Sequence, residues 1–286
     1  MKKTKINYLA SFISANLILF VLVICLNAIL TPFFKAGAEG EALSESYRQE
    51  TVDTAVLFVV SPNADSGEDP LFLLLKSDRQ RQMFKVLFLS PQTFLNTETL
   101  KDAYLEYGAP GAAAGLTAAG IAPDKYIDLA EKHFVEAFNY MGGVELEFAA
   151  DIKNSGEKVV FKKGPAFLDG DSFVELLRAR FFLEGESFKN NLLSTAASAA
   201  LNENLTKGFF LKYGGFMDLL LDRSKSTDLT AFERQDIDAF FKVLCEKSEA
   251  KAEPVSTVGS SDDGKFHFST ESKALLKALF PVDKTG

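Results

Sequence analysis

Apolar and polar positions along this chain fall into blocks whose period changes from one segment to the next. The first block is long: no charged residue occurs between Lys5 and Lys35, and apolar density peaks from Leu17 to Leu30. A helix over residues 8–30 is long enough to span a hydrocarbon core of roughly 30 Å. Residues 31–50, rich from 36 onward in Gly, Ala, Ser and Glu, read as a short flexible stalk. Val52–Val60, Leu71–Leu75 and Lys85–Leu89 are short runs of Val, Leu and Phe separated by polar turns, which predicts strands. Thr97–Tyr107 and Gly111–Ala119 read as helical, with Gly120 and Pro123 as punctuation. Ala130–Met141 is a further helix ended by Gly142-Gly143, and Val144–Phe148 alternates like a strand.

The second half is mostly helical in pattern. Asp171–Leu177 is a helical segment with Asp169 available as its N-cap, and Ser187–Leu201 is Ala-rich. Thr230 and Glu233 have capping-box spacing and open a helix whose apolar positions Phe232, Ile237, Phe240, Phe241 and Leu244 fall near one face. Ser269–Phe280 is a last helix, stopped by Pro281. Strands interleaved with helices predict an α/β (α+β) fold, a three-layer sandwich with a central mixed sheet flanked by helices, plus the N-terminal transmembrane helix. With 27 phenylalanines in the chain, residues 51–286 read as one domain with one substantial core.

Charge places that domain. Three lysines precede the apolar block, which puts residues 1–7 in the cytoplasm and the rest of the chain outside it. Ala36-Gly37-Ala38 is an A-x-A-like site, so a cleaved signal peptide is the alternative. Cleavable apolar regions run to about 7–15 residues, and this one is longer. An uncleaved single-pass cell-membrane anchor is therefore the expectation. The chain has 31 basic and 39 acidic residues, net −8, and four of the lysines lie in the first 35 residues. An acidic exported domain argues against a nucleic-acid partner, whose phosphates are bound through clustered Lys and Arg.

Several chemistries lack their residues. Cys25 and Cys245 are too few for a disulfide framework, and His133 and His267 lie far apart, so a zinc site or a Ser-His-Asp triad has no support. No P-loop occurs. Asp169-Gly170-Asp171 lacks the remaining ligands of a calcium loop, and helix capping accounts for it.

Arg178 and Arg180 form the informative pair. Ala179-Arg180-Phe181-Phe182 reads as extended, and in extended chain residues two apart face one side. Two guanidinium groups side by side suit bidentate binding of phosphate or pyrophosphate oxygens. The plainer reading pairs them with Glu175, Glu184 or Glu186.

The surrounding run, Leu168-Asp169-Gly170-Asp171 through Arg178-Ala179-Arg180, resembles the L-D-G-E-Q-A-L-x-Y-x-R-x-R signature of the LytR-CpsA-Psr family. Other segments follow in the family's order. Val52-Asp53-Thr54 resembles its S-D-T opening, and Leu100-Lys101-Asp102-Ala103 through Tyr107-Gly108-Ala109-Pro110 its K-L-N-A-A…Y-G-G-P segment. Ile121-Ala122-Pro123-Asp124-Lys125-Tyr126 is similar to G-I-P-I-D-Y-Y, Met141-Gly142-Gly143-Val144-Glu145-Leu146 to L-G-G-V-x-V, and Ser226-Thr227-Asp228-Leu229-Thr230 to T-N-L-S. The resemblance implies an extracytoplasmic phosphotransferase of the bacterial envelope. Such proteins transfer an anionic glycopolymer from a polyprenyl-pyrophosphate carrier to peptidoglycan. It implies Arg178, Arg180 and Asp53 as catalytic residues, Asp53 also as a ligand to Mg2+, and Lys189, Asn190, Asn191 and Gln92 as substrate-binding. An apolar groove for the lipid tail would complete the site.

Two departures stand out. Where the family has S-I-P-R-D-T, this chain has Leu89-Ser90-Pro91-Gln92-Thr93-Phe94, without the arginine or the second carboxylate. Where the family has R-Q-Q, it has Lys189-Asn190-Asn191, a point charge without the planar fork. Two functions stay open: a divergent working transferase, or a non-catalytic relative that binds polyprenyl-phosphate lipid or an envelope partner as a scaffold.

Overall fold

The computed structural model describes residues 53–62, 66–153, 157–179 and 185–282. The segments expected as anchor and stalk, and Arg180, lie outside these. No helix among the described residues is long and apolar enough to cross a membrane.

The described chain runs β1 (Ala55–Ser61), β2 (Leu71–Asp78), β3 (Met83–Leu89), α1 (Leu100–Ala118), β4 (Lys125–Ala130), α2 (Glu131–Met141), β5 (Val144–Phe148), β6 (Ile152–Lys153), β7 (Val159–Phe161) and β8 (Gly164–Leu168). It continues through α3 (Gly170–Arg178), α4 (Gly185–Asn204), α5 (Lys207–Phe210), α6 (Tyr213–Leu221), β9 (Ser224–Thr227), α7 (Ala231–Glu246), β10 (Ala252–Pro254), β11 (Gly259–Asp262), β12 (Lys265–Phe268) and α8 (Thr270–Leu279).

Six strands form the central sheet in the order β10-β3-β2-β1-β4-β9. β1 is apolar on both faces, which suits an interior strand. Ala55, Leu57 and Val59 pack toward α1, α8 and the β11–β12 hairpin, while Val56 and Val60 pack toward α2, α3, α4, α6 and α7. The sheet is mixed, since β1 runs antiparallel to β2 but parallel to β4, and β10 runs parallel to β3. Helices on both faces make the expected three layers.

The caps follow the sequence closely. Thr230 and Glu233 bond reciprocally as a capping box at the start of α7, and Thr99 with Asp102 does the same for α1. α1 carries a kink at Gly108, whose φ of 69° is left-handed, two residues before Pro110. That kink is why the pattern reads as two helices there. Phe232 departs from expectation: it is 66 % exposed, so the buried stripe of α7 runs through Phe240, Phe241 and Leu244.

A polar group sits under α1. Asp128 of β4 is buried, the Tyr104 hydroxyl donates to its Oδ2 at 3.0 Å, and its Oδ1 has no hydrogen-bond partner among the described residues. Burial pushes the Asp128 carboxyl above its ordinary value and Tyr104 up to about 12. A carboxyl that protonates more readily when folded favours the folded state at low pH, and that contribution is lost as pH rises through the folded value. Asp128→Asn is expected to remove this slope. The urea midpoint of the variant relative to the wild type should therefore rise between pH 4 and pH 7.

Candidate functional site

Chain direction decides where a site forms. The C-terminal ends of β1, β3 and β4 and the start of β2 meet at one edge of the sheet, the edge where open α/β sheets bind ligands. A cleft of about 680 Å³ opens there, lined among others by Glu68, Asp69, Gln92, Arg178, Glu186 and Lys189.

Arg178 is the last residue of α3, one residue beyond the helical segment expected from the sequence, and Ala179 after it is extended. The helix is set by its N-terminus, where the Asp169 carboxylate accepts from the Ser172 amide at 2.9 Å. That bond holds the Asp169 carboxyl below the usual carboxylate range. Gly170 follows because a Cβ there would stand 2.5 Å from the Val135 carbonyl oxygen and 2.9 Å from its Cα. Only glycine lets α3 lie this close to α2, and its amide donates to Asn139 Oδ1 at 2.7 Å. Gly170→Ala must separate the two helices, at a cost of roughly 1–3 kcal/mol. A lowered urea midpoint with reduced occupancy of the cleft by anions is the expected result.

Arg178 is surrounded by acid. Its Nη2 donates to Glu131 Oε2 and its Nη1 to the Asp69 carbonyl at 3.2 Å. Its Nε lies 2.8 Å from Glu68 Oε2 at an angle that closes no hydrogen bond, so that contact is purely Coulombic. The plainer reading of the arginine, an ion pair, is correct for this residue, but with carboxylates distant in sequence. Asp69 in turn faces Lys101 through Oδ1 and Gln92 Nε2 through Oδ2 at 3.4 Å.

The expected residues divide. Arg178, Gln92 and Lys189 come together in the cleft. Asn191 does not serve it: its amide donates to the Thr257 carbonyl at 2.9 Å and accepts from the Thr257 amide at 2.8 Å. Asn190 is wholly buried, and neither of its amide atoms finds a partner among the described residues. Asp53 stands at the opposite edge, where its Oδ1 accepts from the Arg79 amide and its Oδ2 faces Lys76 at 3.6 Å. The eight residues of β2 separate it from Arg178, roughly 26 Å of strand. Asp53 is therefore not placed to share a substrate or a metal with Arg178. Asp69 is, and it also precedes an apolar strand, in Glu68-Asp69-Pro70. No group of three or more His, Cys, Asp or Glu gathers as a metal cage among the described residues.

Behind the polar cleft, apolar cavities continue along the sheet. A narrow one of about 10 Å³ shares Leu71, Phe88 and Leu177 with the cleft. It also shares Leu73, Phe134, Phe173 and Ala197 with a cavity of about 100 Å³. That cavity shares Phe58, Leu75, Leu220 and Phe241 with one of about 60 Å³ ending at Arg79.

No protein-family model matches the chain, and no curated protein matches it. Solved structures do. A protein from Eubacterium siraeum described as a transcription regulator superposes with a TM-score of 0.70 at 17% identity, over 81% of this chain and 92% of that one. Bacillus subtilis TagV superposes with a TM-score of 0.59 at 14% identity, over 81% and 96%. TagT bound to LIIa-WTA gives 0.57 at 14% identity, over 79% and 88%. At these identities the likeness is one of fold, and the fold is that of proteins which include the LytR-CpsA-Psr members TagV and TagT.

Proposed function

We propose that the chain is a membrane-anchored, extracytoplasmic phosphotransferase of LytR-CpsA-Psr type, acting on a polyprenyl-pyrophosphate-linked anionic glycopolymer with peptidoglycan as acceptor. The observation that carries this reading is the continuity of a charged cleft at Arg178 with an apolar passage beneath α2, α3 and α4. A pyrophosphate with an isoprenoid tail has that same division into an anionic end and an apolar end. Arg178 and Lys189 would neutralise the phosphates. Mg2+ is held in such sites by one or two carboxylates together with phosphate oxygens and water. Asp69, with Glu68 beside it, fits so sparse a donor set, and Asp53 does not. The ion's chemistry would be to offset charge on the transferring phosphoryl group.

A second reading has its own support. Gln92 and Thr93 stand where two charged groups are expected, and the three carboxylate-bearing residues around Arg178 already engage its guanidinium. A cleft with less charge stabilisation binds without accelerating transfer, which describes a lipid-binding scaffold. Incubating the purified chain with a polyprenyl-pyrophosphate substrate and magnesium separates the two. Release of polyprenyl phosphate, lost in Arg178→Ala, supports the transferase. Bound lipid with no turnover supports the scaffold, and absence of both rejects the functional reading while leaving the fold.

A further inference from the structure

Arg178 joins two helices at the point where the cleft meets the apolar passage. It is the last residue of α3, and its partner Glu131 is the first residue of α2. Phe134 lies three residues into α2 beyond Glu131, and Phe173 and Leu177 lie on α3. These three line the neck of about 10 Å³ that separates the cleft of about 680 Å³ from the inner cavity of about 100 Å³. Phe138 stacks on Phe173 at 4.2 Å and braces it from α2. These two helices wall the neck together with the sheet and α4, so its width depends on the spacing of α2 and α3, which the ion pair holds at the open end.

A phosphate that takes the Arg178 guanidinium competes with Glu131 for the same N–H donors. Like charges on one fork repel, so the carboxylate is driven off. We propose that Glu131 is a positioning residue that latches α2 to α3, so that an anion at Arg178 releases the latch and opens the neck to an apolar tail. This rests on the functional reading above. Headgroup and tail then bind interdependently, each raising affinity for the other by one factor. A free tail binds more weakly until an anionic end arrives.

The test uses two halves of the ligand: inorganic pyrophosphate and geranylgeraniol, titrated calorimetrically into the full chain. In the wild type, saturating pyrophosphate is expected to tighten geranylgeraniol binding about tenfold, within the usual range of coupling between sites. In Glu131→Gln, geranylgeraniol is expected to bind at the tighter level already, with pyrophosphate adding less than about twofold. Glu131→Asp, which keeps the charge, should restore part of the coupling. Glu136→Gln, an exposed charge on α2 that lines neither the cleft nor the neck, should leave it whole. Equal geranylgeraniol affinity with and without pyrophosphate in the wild type overturns the latch, whether or not any variant folds. So does full coupling in Glu131→Gln. Two ligands that bind independently sink the latch alone, whereas failure of either to bind sinks the functional reading with it.

Discussion

Arg178→Ala is expected to weaken pyrophosphate binding by about 100-fold, or roughly 2.7 kcal/mol, in a calorimetric titration. Hydrogen bonds to charged groups contribute about 1.5–3 kcal/mol each, and a guanidinium offers at least two to a phosphate. The figure sits just below that sum because a phosphate must first displace Glu131, and because the side chain keeps 17% exposure. Arg178→Lys retains the charge without the fork and should fall between, near tenfold. Affinity within about threefold of the wild type in Arg178→Ala would place the anion site elsewhere. Thermal stability should change little, because Glu68 and Glu131 can turn to solvent across the cleft.

The second large effect concerns the frame rather than the site. Phe72 of β2 is wholly buried, with its ring 6.0 Å from that of Tyr104 in an edge arrangement. Phe72→Ala removes a full aromatic side chain from a face the surrounding layer cannot close over, at a cost of about 3–5 kcal/mol. The urea midpoint should fall accordingly. Phe232→Ala is the control, since that ring is exposed and its loss should stay within about 0.5 kcal/mol. Equal effects from the two would mean that the sheet does not carry the core on its α1 side.

The apolar period read the strongest elements well. Val144–Phe148 coincides with β5, and the expected strands at Leu71–Leu75 and Lys85–Leu89 lie within β2 and β3. Strands whose side chains are polar were not legible. β9 is Ser-Lys-Ser-Thr and β11 is Gly-Ser-Ser-Asp, and each is a strand only because a neighbour offers it a ladder. Tertiary pairing overrides composition in such segments.

The site was legible in its arginine and illegible in its acids. Asp53 and Asp69 each precede an apolar strand, and either suits an acid-before-strand motif. They end up on opposite edges because β1 and β2 are antiparallel, so the starts of the two strands lie a full strand length apart. Only the direction of β2 tells them apart, and that is a property of the sheet. Lys189, Asn190 and Asn191 show a second limit. Consecutive residues on a helix point about 100° apart, so three in a row cannot all face one cleft. Lys189 lines it, Asn190 is buried, and Asn191 fastens the Thr257 backbone. Glu131 carries no signal in the sequence at all, since its partner lies 47 residues away.

In the proposed function a single ligand places its phosphates at Arg178 and its tail in the passage beneath α2 and α3. Photo-crosslinking with an isoprenyl pyrophosphate carrying a diazirine on its third isoprene unit tests it most directly. Adducts on Phe134, Phe173 or Phe138, suppressed by excess pyrophosphate and weakened in Arg178→Ala, are the predicted result. Adducts confined to exposed side chains such as Leu211 or Phe167, unaffected by pyrophosphate, would contradict it.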